Sequence, residues 1–133
     1  FPAYMRYYLF QFVLENEMYK DPDQDMTAME NRVLEKYLLT ERPVKNGFPV
    51  ANSMFVSQPI YQHNWLFGEM MAWQVHVHLK KQFGENYLQN KNSSTFLIEN
   101  LYKDGEYYPW QNRLERATGK TLDVYDFLKA HME

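Results

Sequence analysis

The stretch Trp65-Leu66-Phe67-Gly68-Glu69-Met70-Met71-Ala72-Trp73-Gln74-Val75 is apolar nearly all the way round a helix. A helix without a polar face has to be covered on every side. The spacing predicts that this helix runs from about Pro59, which suits a first helical position, to about Phe83, with Gly84 as its stop. At 1.5 Å per residue it would be roughly 37 Å long. A compact domain of 133 residues is only roughly 29 Å across. The rod is therefore as long as the body that has to sheathe it. That pattern is expected of a piece of a larger helical protein, or of an obligate oligomer.

The remaining segments follow the same period. Met5, Tyr8, Leu9, Phe12 and Val13 predict a helix over 3–20, ended by Asp21-Pro22. Asp25 is placed to cap a second helix that carries Met26, Met29, Val33, Leu34, Tyr37 and Leu38 on one side. Residues 41–58, with Pro43, Asn46-Gly47 and Pro49, read as the one long irregular segment. Ser94 is placed to cap a helix over 95–103. Pro109 opens one over 109–117, closed by Gly119. Thr121 or Asp123 starts the last. No segment alternates as a strand does. The expected architecture is all-α, an irregular array of about six helices around one long central helix, with residues 1–133 as a single segment.

Composition excludes several functions. The net charge is −3 and basic residues are scattered, so the chain is expected not to bind nucleic acid. The absence of cysteine removes disulfides, thiolate metal sites and a thiol nucleophile. No apolar run approaches about 18 residues, so no membrane-spanning segment is expected. Aromatic residues reach 17% of the chain, with eight Met beside them, and both types fill large irregular surfaces.

Chemistry-bearing clusters are few. The chain has four His, at 63, 76, 78 and 131, but no H-E-x-x-H pair. His76 and His78 lie about 200° apart on a helix and point to opposite sides. Ser53, Ser57, Ser93 and Ser94 stand in no nucleophile-elbow context. Ala117-Thr118-Gly119-Lys120 lacks the upstream glycine of a phosphate loop and reads as a helix end. The carboxylates Glu15 and Glu17, Asp21 and Asp23 are expected to be solvated. Glu69 reads as a structural ion pair or a half-exposed residue. One cluster stands out. Met54 and then Tyr61, Gln62, His63, Asn64 and Trp65 concentrate polar and amphipathic groups at the start of the central helix. A helix N-terminus presents free N–H groups and a positive dipole, which suit an anionic or carbonyl ligand. Simple capping and packing of the helix explains the same residues.

The order of residues here resembles a known family. Pro59-Ile60-Tyr61-x-His63-Asn64-x-Leu66-x-Gly68-Glu69-x-x-Ala72-x-Gln74, then Gly105-x-x-Tyr108-Pro109-Trp110 and Ala117-Thr118-Gly119-Lys120-x-Leu122, is similar to the C-terminal part of a bacterial family of helical zinc peptidases. These are relatives of angiotensin-converting enzyme and of the oligopeptidases, with a zinc site of the gluzincin type. The early segment Tyr7-x-x-Phe10-Gln11-Phe12 through Leu34-Glu35-Lys36-Tyr37 to Pro43 resembles the preceding stretch of that family.

The resemblance implies that the H-E-x-x-H helix and the glutamate zinc ligand lie upstream of this region, in a larger helical domain. The chain itself then has no catalytic residue, no metal ligand and no cofactor, with zinc expected only in a complete parent. Its share is one wall of a peptide cleft, where Tyr61, Gln62 and Trp65, with Met54 and His63 nearby, face the substrate. The family often has His at the position of Met54, and Tyr at those of Gln62 and Trp65, so the donor set is altered. The expected partners are a peptide and the missing part of the domain, or a second copy. A non-catalytic helical module that binds a peptide or a partner helix through the same loop is the alternative, and a self-associating helical domain is a third.

Overall fold

The computed structural model describes residues 3–39 and 53–132, the last by its backbone alone. Seven α-helices form among the described residues, and none of those residues is in a strand. The all-α expectation holds. The helices are α1 (Ala3–Lys20), α2 (Met26–Leu38), α3 (Ser53–Ser57), α4 (His63–Phe83), α5 (Lys91–Leu97), α6 (Trp110–Thr118) and α7 (Val124–Met132). A 3₁₀ turn at Tyr87–Gln89 precedes α5, and a π turn at Ile98–Tyr102 extends it. No helix is long and apolar enough to cross a membrane among the described residues. The chain gathers into two compact units, Phe1–Phe67 and Gly68–Glu133, and the divide falls inside α4.

In the first unit α1 packs on α2. The short connection is held by Gln24, whose Nε2 donates to the carbonyls of Glu17 and Asp21, both at 2.8 Å. Asp25 caps α2 as expected: its Oδ1 accepts from Ala28 N at 3.0 Å. The core is Phe10 and Leu14 from α1, Met29 and Val33 from α2, and Phe55 from α3. Tyr19 ties α3 to α1 by donating to the Phe55 carbonyl at 3.4 Å. The irregular segment expected over 41–58 is helical at 53–57, and Pro43, Asn46, Gly47 and Pro49 lie outside the described residues.

The second unit is organised by Gln74. Its Nε2 donates to Thr118 Oγ1 at 2.9 Å and to the carbonyls of Lys120 and Thr121 at 3.1 Å, while its Oε1 accepts from Asp123 N at 2.9 Å. An amide has two N–H groups, so one of these bonds is shared between two acceptors. This clasp fixes the turn between α6 and α7. Gly119 closes α6 in the left-handed region at φ 79°, which confirms the helix-end reading of Thr118-Gly119-Lys120. Trp73 packs edge-on against His131 at 4.6 Å and Phe127 at 6.5 Å.

Two expectations are corrected. The central helix begins at His63, not Pro59, because Ile60 takes a left-handed φ of 59° that no helix continues through. Ser94 does not cap: Asn90 does, accepting from Asn92 N at 3.0 Å, and the helix starts at Lys91. The apolar middle of α4 is left partly uncovered, as the length of the rod leads one to expect. Only Met70, Gln74 and Leu79 are buried along this helix, while Phe67, Gly68, Ala72 and Val77 are exposed. Glu69 is half-buried, one of the two states expected for it.

Two outcomes follow from this packing. Leu14→Ala should lower the unfolding free energy by about 2–5 kcal/mol in urea titration, whereas Val77→Ala, at a site 46% exposed, should change it by less than about 0.5 kcal/mol. Asp123 accepts the backbone N–H of Asp126 and then the Lys120 ammonium, and both hold its carboxyl below the ordinary aspartate range. Its stabilising share is complete above the unfolded value of about 3.9 and is lost as pH falls through the lower folded value. Carbon NMR titration of Asp123 should give a midpoint below that of an unfolded aspartate. Lys120→Met should raise it only part of the way, since the backbone bond remains.

Candidate functional site

The turn ahead of α4 is bent by Ile60. A β-branched residue at positive φ is a strained conformation, worth about 1–3 kcal/mol, so something must hold it. That partner is Glu15 on α1, whose carboxylate accepts from Ile60 N at 2.5 Å and Gln62 N at 3.1 Å. Glu15 is only 2% exposed. A carboxylate so placed is stable only when its oxygens are satisfied. The N–H groups at the start of a helix, with its positive dipole, do this.

One sequence expectation changes here. Glu15 is buried, not solvated like its neighbour Glu17. Its carboxylate takes two N–H groups of the turn just ahead of the helix, those of Ile60 and Gln62.

Holding the turn this way sets Gln62 against α1. Gln62, Met54 and Trp65 line one cavity of about 180 Å³ together with Tyr7, Tyr8 and Gln11 of α1. The Tyr8 and Trp65 rings stack, with centroids 6.1 Å apart and planes 18° from parallel. Tyr61 meets the Trp65 ring edge-on at 6.4 Å and is 40% exposed. His63 does not line the cavity. It lies between the rings of Phe12 at 6.3 Å and Phe67 at 5.8 Å. Of the five residues expected at a substrate wall, three converge, Tyr61 borders them and His63 packs elsewhere.

The sequence reading passed over Tyr7, Tyr8, Gln11 and Glu15 as site residues. A signal for the last two existed. Gln11 and Glu15 are four apart on a helix face that also carries Leu14, so two polar residues share the buried side of α1. A polar pair on a buried stripe marks something to be bonded.

Among the described residues no three His, Asp or Glu side chains are gathered where one ion could bind them. His76 instead shares a hydrogen bond with the Tyr87 hydroxyl at 2.8 Å, and His78 one with Gln82 at 3.0 Å. No family model, curated protein or solved structure matches the chain.

Replacing Glu15 tests the construction of the site. Glu15→Gln turns an acceptor into a donor against one of the two N–H groups. It should lower stability by about 2–4 kcal/mol and speed amide hydrogen exchange at Ile60 and Gln62 more than in the core of α2.

Proposed function

We propose that this chain is the zinc-free, C-terminal portion of a metallopeptidase-like helical domain, contributing one wall of a peptide-binding cleft. The observation that carries this reading is the convergence of Met54, Gln62 and Trp65 on one cavity, bordered by Tyr61. These are positions that the family resemblance assigns to the substrate side. In such a wall the residues hold and orient the peptide: aromatic faces take its flat and apolar parts, and side-chain donors meet its carbonyl groups. Bond cleavage is the work of residues outside this chain.

The uncovered apolar middle of α4 supports the idea of a partial domain. A groove of about 410 Å³ runs along it, lined by Gly68, Met71, Ala72, Val75, Leu97 and Leu101 among others, and apolar surface of this kind calls for further protein. A stand-alone peptide-binding module is the second reading, favoured by Gln62 and Trp65 standing where the family often has tyrosines.

The purified chain with added zinc should hydrolyse no peptide and should retain less than stoichiometric metal by emission spectroscopy. Tight stoichiometric zinc would contradict the proposal. The coding sequence directly before the Phe1 codon should specify an H-E-x-x-H helix in the same frame. An in-frame stop there would favour the stand-alone module.

A further inference from the structure

We propose that the aromatic face formed by α1, the turn before α4 and the start of α4 is a groove for a proline-rich segment in the polyproline II conformation. The inference rests on the peptide-holding reading above and names the class of peptide.

The rings form a row. Tyr61, Trp65, Tyr8 and Tyr4 follow one another with centroids 6.4, 6.1 and 6.1 Å apart, and Tyr7 joins the row beside Tyr8 at 6.3 Å. Tyr4, Tyr7 and Trp65 are each 46% exposed and Tyr61 is 40% exposed. Aromatic side chains gathered in the open at one place mark a contact surface. Tyr7, Tyr8 and Trp65 of this row also line the cavity of about 180 Å³.

Proteins hold peptides in few ways, and the surroundings select among them. Adding a strand needs a sheet edge, and none of the described residues is in a strand. A bound helix is about 10–12 Å across, whereas 180 Å³ is the volume of about six liquid waters and takes a side chain or two. Capture of a phosphate or a terminal carboxylate calls for a cation, and no Lys, Arg or His among the described residues lines the cavity. Recognition of a polyproline II segment calls for open aromatic faces, against which pyrrolidine rings pack. Those are what this surface offers.

Hydrogen bonding agrees. The hydroxyls of Tyr4, Tyr7, Tyr8 and Tyr61 and the indole N–H of Trp65 bond to no other described residue, unlike the hydroxyls of Tyr19 and Tyr87. They are free to donate to a guest. Proline has a carbonyl but no N–H, and a polyproline II segment satisfies none of its carbonyls internally. Such a segment asks its partner for donors and flat apolar faces. It is also stiff before it binds, so less conformational freedom is lost on docking.

The test is calorimetric titration of the wild-type chain with acetyl-hexaproline amide, a Gly-Ser hexapeptide capped in the same way, and cellohexaose. Hexaproline should bind at least about tenfold more tightly than the Gly-Ser peptide, a factor that one or two ring contacts supply. In proton–nitrogen NMR it should shift the indole N–H of Trp65 and leave those of Trp73 and Trp110 in place. Equal binding of the two peptides would overturn the proline assignment and leave the peptide wall standing. Cellohexaose binding as tightly as hexaproline would make the face a saccharide platform and overturn the proposal. No binding by any of the three would overturn both the groove and the peptide-holding reading.

Trp65→Phe supplies a second readout. It keeps a ring and loses the donor, so hexaproline should bind about two- to tenfold more weakly, and Trp65→Ala should weaken it further. Unchanged affinity in Trp65→Ala would place the peptide elsewhere and overturn the proposal. Where a variant fails to fold, the wild-type titrations and the Trp65 shift decide.

Discussion

Glu15 holds the first unit's site together. It is a carboxylate taken out of water, and among the described residues it is compensated by a pair of backbone N–H groups, those of Ile60 and Gln62. Each member of this arrangement needs the other. The turn cannot keep Ile60 at positive φ without a strong bond to its N–H, and the carboxylate cannot stay buried without donors. From this bond follow the start of α4 at His63, the burial of Gln62 and the approach of Trp65 to Tyr8. The cavity exists because one charge on α1 is satisfied by a turn 45 residues away in sequence.

The second unit uses the same device with a neutral group. Gln74 sits 7% exposed on α4 and satisfies four groups of the segment 118–123. In both places a polar side chain on a helix serves as the partner that an irregular segment lacks, which is how loop backbone can be buried at all. Gln11 and Gln62 stand apart because parts of their amides are left without such a partner among the described residues.

Much of the helical plan was legible because its signals are local. Asp25 caps α2, Gly119 ends α6, Pro109 precedes α6, and the apolar spacing of α1 and α2 predicts their packing. The failures have a common cause. Pro59 suits a first helical position and equally a turn, and only the distant Glu15 decides between them. Ser94 and Asn90 are both capable caps, and the fold of the 3₁₀ turn selects Asn90. Glu15 looked like any acidic residue near a helix end, because burial is set by what packs over it.

The candidate site was legible by half. Met54, Gln62 and Trp65 are close in sequence, so their clustering was visible as a run. Tyr7, Tyr8 and Gln11 lie some 50 positions earlier, and no spacing rule links the two groups. By itself the sequence determined an all-helical chain with an apolar rod at its centre and a polar cluster before it, since helical period and caps act over a few residues. Only the tertiary structure decided where that rod begins, that Glu15 is buried behind the turn ahead of it, and that Gln11 and Gln62 line one cavity with aromatic rings. Each of these depends on which distant group satisfies a buried polar atom, and that choice is made in space.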